Sequence, residues 1–434
     1  MRSMGGDPGR PGHGRELSRR LGTADAVVIG LGSMIGAGVF AAFAPAARSA
    51  GSGLLAGLAL AAVVAYCNAV SSAQLAAVYP TSGGTYVYGR ERLGDWWGFL
   101  AGWGFVIGKT ASCAAIALTF AAYAAPGFER PVAVAAVVAL AAVNYRGITR
   151  TARLTRILVA GSLGALAVVV AANLAGGAAD LGHLAGPPIA PTGVLQSAGL
   201  LFFAFAGYAR IATLGEEVRD PRRVIPRAIP LALGVTVGVY AAVAASALLV
   251  LGPGRLAAAT APLAEAVHAG GWDWAGPLVR VGAAAASLGS LLALIAGVGR
   301  TSLAMARNAD LPRWLAAVHP RFRVPHRAEV VVAAAVCALV LTVDLRGAIG
   351  FSSFGVLIYY LIANVSAYTQ PREQRRWPRA VQVLGAVGCL VLVVTLPRSA
   401  VLIGLGVFAA GALYRLLTRR QRAVQRTGDR HDNC

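Results

Sequence analysis

Residues 29–40 read IGLGSMIGAGVF, and Gly30, Gly32, Gly36 and Gly38 fall inside an apolar run long enough to cross a bilayer. Each interior glycine costs a helix roughly 0.5 to 1 kcal/mol relative to alanine. Irregular backbone at membrane depth survives only where protein surrounds it or a cavity adjoins it. Two readings explain the glycines. Gly32 and Gly36 have the small-xxx-small spacing that lets two helices pack closely. Alternatively, the helix is interrupted here and offers its backbone to a ligand. Spacing alone serves both readings.

A second stretch, LLFFAFAGYARIATLGEE at residues 200–217, tilts the balance. Gly207 is flanked by the small Ala204, Ala206 and Ala209, with Phe202, Phe203, Phe205 and Tyr208 around it. Paired glycine-interrupted spans in corresponding positions of two halves are the sequence pointer to a transporter built from inverted repeats. The chemistry suits a zwitterion. Freed N–H groups at a half-helix start hold a carboxylate, and freed carbonyls hold an ammonium.

The rest of the chain fits a membrane protein. Of 434 residues, 57% are hydrophobic and 13% charged, and the mean hydropathy is +0.65. A water-soluble fold would lack polar surface to cover that much apolar material. The net charge of +21 sits in arginine clusters between apolar runs, so it reads as bilayer topology and not as a nucleic-acid surface. A core of about 30 Å needs roughly 20 apolar residues per helix. About twelve such runs are predicted, at 24–47, 53–79, 95–124, 131–146, 154–176, 193–215, 226–251, 276–305, 327–344, 347–369, 379–396 and 399–417.

The expected organisation is a cytoplasmic tail (1–22), two five-helix halves (23–176 and 193–370), two further spans (371–418) and a cytoplasmic tail (419–434). With the N-terminus inside, 32 basic residues fall in inner loops and tails, against Arg48, Arg130, Arg255, Arg346 and Arg398 outside. This asymmetry fixes the orientation and an even number of spans. The segment RNADLPRWLAAVHPRFRVPHR, residues 307–327, is predicted to form a surface helix through Leu311, Trp314 and Leu315 with Arg313 and Arg321 at the headgroups. Cys67, Cys113, Cys337 and Cys389 lie in apolar runs without CxxC spacing and read as inert.

An enzyme is disfavoured, because HExxH, phosphate-loop and GxSxG motifs are absent and all six histidines fall in tails or loops. A channel or non-transporting receptor is the alternative of another class. No repeated filter or ring of like charge supports a channel.

Three segments carry a family resemblance: GLGSMIGAGVF (30–40), YPTSGGTYVYGRERLGDWWGFLAGW (79–103) and FFAFAGYARIATLGEEVRDPRRVIPRAI (202–229). Together they resemble the amino acid–polyamine–organocation (APC) superfamily of permeases over nearly the whole chain. The resemblance implies an all-α membrane protein of the leucine-transporter type, five plus five helices in inverted repeat with two appended, and helices 1 and 6 unwound at mid-membrane. It places a substrate carboxylate on the backbone of Ile35, Gly36, Ala37 and Gly38, beside Gly207. It places the ammonium on the carbonyls of Met34, Phe203 and Ala206. Phe203 and Phe205 are candidate aromatic gates, and Ser352 and Ser353 are pocket candidates. Glu216 and Glu217, with Arg219, Arg222 and Arg223 nearby, are candidate inner-gate ion pairs.

Departures from the family pattern bear on substrate and coupling. Many relatives carry an acid where this chain has Ala209, and no Asp or Glu lies near the middle of a span. A cationic ligand would lack a carboxylate partner, which costs several kcal/mol. A neutral amino acid is therefore expected, with a cationic amino acid or polyamine as the alternative. In some proton-coupled relatives a fifth-helix lysine stands where this chain has Ser162. The sole lysine, Lys109, lies deep in the third span, where an ionisable group is either functional, exchanging a proton, or a structural ammonium held by backbone carbonyls of an unwound helix. Lys109 and Ser162 are the coupling candidates; a proton is favoured over sodium, and no metal or cofactor is expected. The expected setting is the plasma membrane, as a monomer or homodimer.

Overall fold

A computed structural model describes residues 21–80, 83–147, 152–184, 190–214 and 217–431, with backbone alone at 152 and from 419 onward. The predicted tail residues through Arg20, together with Arg150 and Glu216, lie outside the described residues. Helices follow in the order α1 (Thr23–Met34), α2 (Ala37–Ala41), α3 (Phe43–Ala50), α4 (Leu54–Val78), α5 (Thr85–Leu93) and α6 (Asp95–Ala124). Next come α7 (Glu129–Tyr145), α8 (Ala152–Ala175), α9 (Pro191–Phe205), α10 (Ala209–Ala212), α11 (Pro221–Ala258) and α12 (Pro262–Ala269). The remainder are α13 (Gly276–Arg307), α14 (His326–Thr342), α15 (Leu345–Tyr368), α16 (Arg379–Thr395) and α17 (Arg398–His431). Among the described residues there is no sheet, only a parallel bridge between Leu21 and Val218.

Nine helical stretches among the described residues, from Thr23–Ala41 to Arg398–Thr418, are long and apolar enough to cross a membrane. The predicted runs at 131–146, 327–344 and 379–396 coincide with α7, α14 and α16, each of 17 residues. At 1.5 Å per residue these are about 26 Å long, short of a core of about 30 Å.

Two expectations need correction. Between the end of α13 at Arg307 and the start of α14 at His326, the chain forms only a single 3-10 turn, Arg313–Ala316, in place of a surface helix. Pro312, Pro320 and Pro325 each remove an N–H donor, and Leu311 and Leu315 turn inward while Trp314 is exposed. Arg415, one of the 32 basic residues counted on the inside, is instead buried within α17 at 2% exposure.

The bundle centres on α6, which packs against α15 and α13, while α1 packs on α11 and α8, and α4 on α9. With no water in a bilayer interior, buried polar groups must find partners within the protein. Between α4 and α15, Ser71 Oγ donates to Asn364 Oδ1 at 2.7 Å, and Asn364 Nδ2 donates to Asn68 Oδ1 at 2.6 Å. One turn along α4, Gln74 Nε2 donates at 2.7 Å to Oε1 of Gln370, two residues past the end of α15. These pairs fix the register of the two helices.

Candidate functional site

The first glycine-rich stretch leaves helical geometry after Met34. Ile35 has φ −79° and ψ 60°, and the Gly36 N–H donates to the Met34 carbonyl at 2.8 Å, an inverse γ-turn. Helix resumes at Ala37, and the first N–H groups of α2 have no acceptor within their own helix. The second stretch differs from the expected unwinding: its backbone keeps right-handed helical angles and only tightens, with Ala206 at φ −63° and ψ 1°. α9 ends at Phe205, a 3-10 turn spans Ala206–Tyr208, and α10 begins at Ala209.

The glycines bring these two places together. A Cβ on Gly207 would lie 2.2 Å from the Ser33 carbonyl oxygen, and one on Gly38 would lie 2.7 Å from the Ala204 Cα. A Cβ on Gly36 would meet the Ser290 hydroxyl of α13 at 2.2 Å. Close packing and interruption thus coexist at the same residues.

Three side chains from neighbouring helices reach the carbonyls so exposed. Tyr240 of α11 places its hydroxyl 2.5 Å from the Met34 carbonyl and 3.1 Å from that of Ala204. Lys109 of α6, 7% exposed, donates from Nζ to the Ala206 carbonyl at 3.3 Å, and Tyr360 of α15 donates to the same oxygen at 3.4 Å. Two of the three carbonyls assigned to a substrate ammonium therefore already hold donors from the protein. Tyr240 and Tyr360 escaped the sequence reading, because a tyrosine in an apolar run carries no sign of the carbonyl it meets.

Ile35, Gly36, Ala37, Gly38, Phe203, Phe205, Ala206 and Gly207 all fall on these two adjoining segments. Phe205 is fully buried against Tyr240, ring centroids 5.1 Å apart, whereas Phe203 keeps 9% exposure. Ser352 shares a hydrogen bond with Ser112 of α6 at 2.6 Å, and the neighbouring Ser353 hydroxyl is buried with no hydrogen-bond partner. Ser162 donates to its own helix at Leu158, 2.7 Å away, and no hydrogen bond links it to Lys109.

At one end of the bundle, main-chain bonds and ion pairs tie together the segments that flank the two breaks. Leu21 N–H donates to the Glu217 carbonyl and Arg219 N–H to the Leu21 carbonyl, both at 3.1 Å. Asp25 pairs with Arg156 at 2.5 Å, and Glu217 pairs with Arg210 at 3.8 Å. Among the described residues, Arg223 pairs with Asp220 at 3.8 Å, so Glu217's cation is Arg210 and not one of the three downstream arginines. The segment before α6 closes the same end. Gly84 at φ +54° turns the chain so that Thr85 N–H donates to the Tyr359 hydroxyl at 3.0 Å, a conformation side chains rarely adopt.

Beside it lies a buried charged cluster that the sequence did not announce. Asp310 accepts from Tyr86 at 2.8 Å and pairs with Arg415 at 3.0 Å, whose guanidinium also stacks 4.6 Å from the Phe99 ring centre. Burial first, then the Asp310 charge, pushes the Tyr86 phenol up to about 12, which keeps it a donor at neutral pH.

This is a multi-pass membrane protein, all-helical among the described residues, in which the break after Met34 lies directly against the 3-10 turn at Ala206–Tyr208. The chain belongs to the amino acid permease family, whose profile matches residues 25–419. It is 65% identical over 419 residues, 95% of each chain, to an uncharacterized transporter of Mycobacterium tuberculosis. It is 26% identical over 398 residues to the branched-chain amino acid permease of Bacillus subtilis, covering 86% of this chain and 85% of that one. The chloroplastic cationic amino acid transporter 7 of Arabidopsis thaliana is 27% identical over 406 residues, 84% of this chain and 68% of its own.

Proposed function

We propose that the protein is a secondary active transporter of a neutral amino acid, working by alternating access across the plasma membrane with both termini in the cytoplasm. The carrying observation is the contact of the two breaks, where Gly207 meets the Ser33 carbonyl and leaves no room for a Cβ. Such a junction offers N–H groups of α2 and carbonyls of α1 and α9 to one zwitterion. On this reading α7, α14 and α16 complete twelve spans, in two inverted halves of five plus two, with the tails and halves divided as the sequence predicts.

The surroundings of the breaks support a neutral substrate. A cationic side chain would bring a second positive charge near Lys109, a repulsion of about 3 kcal/mol at about 5 to 6 Å and an effective dielectric near 20. Relatives named for branched-chain and for cationic substrates mark the two alternatives. Coupling is assigned to a proton with Lys109 as carrier, since Ser162 offers only a hydroxyl already turned to its own helix.

A thermal-shift panel of the twenty amino acids, ornithine and putrescine on purified protein, followed by counterflow with the best ligand, tests this reading. A neutral amino acid should stabilise most and exchange saturably. Tighter competition by arginine, ornithine or putrescine would sink the neutral assignment, and single-channel currents would sink the carrier mechanism.

A further inference from the structure

At the end of the bundle away from the Leu21 bridge lies a cavity of about 560 Å³. Its walls come from elements that also bound the two breaks. Ala44 lies eight residues beyond Gly36, Leu118 nine beyond Lys109, and Arg346 six before Ser352. At a helical rise these offsets are about 12, 14 and 9 Å, so the cavity stands one to three helical turns beyond the candidate site on the same elements.

Its charge is unusual for this chain. Arg48, Arg130 and Arg346, three of the five arginines predicted outside, all line it, together with Glu129 and Asp344. None of the three arginines forms an ion pair among the described residues, where such pairs fall elsewhere. Each of the two carboxylates is held by a backbone N–H instead: Glu129 by Gly127 and Asp344 by Gly347, both at 2.9 Å. Arg48 donates to the Ala257 carbonyl at 3.0 Å. Arg346 donates from one terminal nitrogen to Ser49 and Gln196, each at 3.0 Å, and its buried Nε has no partner. Arg346 feels both the like charge of Arg48 and the opposite charge of Asp344, so three guanidinium groups face two carboxylates in the lining. The lining is thus short of an anion, and a carboxylate is the ligand a guanidinium fork fits best.

We propose that this cavity is an entry site for a free amino acid zwitterion, its carboxylate held by Arg346 and Arg48 with Arg130 at the rim, and its ammonium by Asp344 or Glu129. The apolar wall at Ala44, Leu118 and Val343 takes the side chain without selecting it. This site rests on the reading of the protein as an amino acid transporter, and adds a first recognition step that reads the zwitterion alone. Selection among side chains then falls to the inner site.

Residue-resolved chemical protection tests it without relying on transport. Purified protein is treated with phenylglyoxal, and modification at Arg48 and Arg130 is followed by mass spectrometry with L-leucine, L-alanine or their amides present. Both amino acids should slow modification at least fivefold, and leucinamide and alaninamide should not. Equal rates with amino acid and amide overturn the proposal. In proteoliposomes, Arg130→Gln, a rim position without a structural hydrogen bond among the described residues, should raise KM for uptake severalfold, leave kcat unchanged and flatten the salt dependence. An unchanged KM and salt dependence likewise overturn it. Protection by both amino acids without counterflow of any amino acid would retain the cavity and defeat the transport reading.

Discussion

Lys109 Nζ donates to the carbonyl oxygen of Ala206 across 3.3 Å, so the chain's only lysine occupies a position to which a substrate ammonium is assigned. Two ammonium groups do not share one carbonyl in a dry interior at low cost. On the proposed reading, substrate entry displaces Lys109 or releases its proton. Lys109→Met should cut acid-driven uptake in proteoliposomes at least tenfold while counterflow at fixed pH persists. Acid-driven uptake at the wild-type rate would remove the residue from coupling.

Tyr240 supplies one proton to two carbonyls, Met34 and Ala204, that belong to different broken segments. Tyr240→Phe keeps the ring that packs on Phe43 and Phe205 and removes only the donor. A buried carbonyl left short of a donor costs about 1 to 3 kcal/mol. Thermal unfolding in detergent should fall by several degrees and substrate affinity by about tenfold, as 1.4 kcal/mol implies.

The two central glycines differ in what opposes a side chain. At Gly36 the obstacle is the Ser290 side chain, whereas at Gly207 it is the Ser33 backbone. Gly36→Ala should lose binding, and Ser290→Gly in the same protein should recover much of it. Gly207→Ala should have no such rescue. Binding measured by thermal shift separates the cases, and an undiminished Gly36→Ala would return that position to simple packing.

The Asp310–Arg415 pair is nearly inaccessible, with side chains 6% and 3% exposed. Removing one partner of a buried pair costs about 3 to 5 kcal/mol, whereas replacing both with apolar groups of similar volume is often neutral. Arg415→Met alone should lower Tm markedly, and Arg415→Met with Asp310→Leu should restore most of it. A single substitution with no effect on Tm would mean that the pair contributes no stability.

Much of the fold was legible because bilayer thickness sets a length that apolar runs display directly, as in the runs at 95–124 and 347–369. The glycine cluster at 30–38 likewise marked the break after Met34. What stayed hidden was contact between distant positions. Nothing around residue 240 announces that its hydroxyl reaches Met34, and nothing near Asp310 points to Arg415 more than a hundred residues later. The buried Glu329, in the first turn of α14 against Gly299, was likewise passed over, since a helix-end acid reads as solvated.

The bridge between Leu21 and Val218 is made wholly of main chain, through the N–H groups of Leu21 and Arg219. Side-chain substitution there leaves the latch intact, so its strength is indifferent to most changes of sequence. Only an imino acid can unfasten it. Arg219→Pro deletes one of the two donors and would tip the resting protein toward opening on that face.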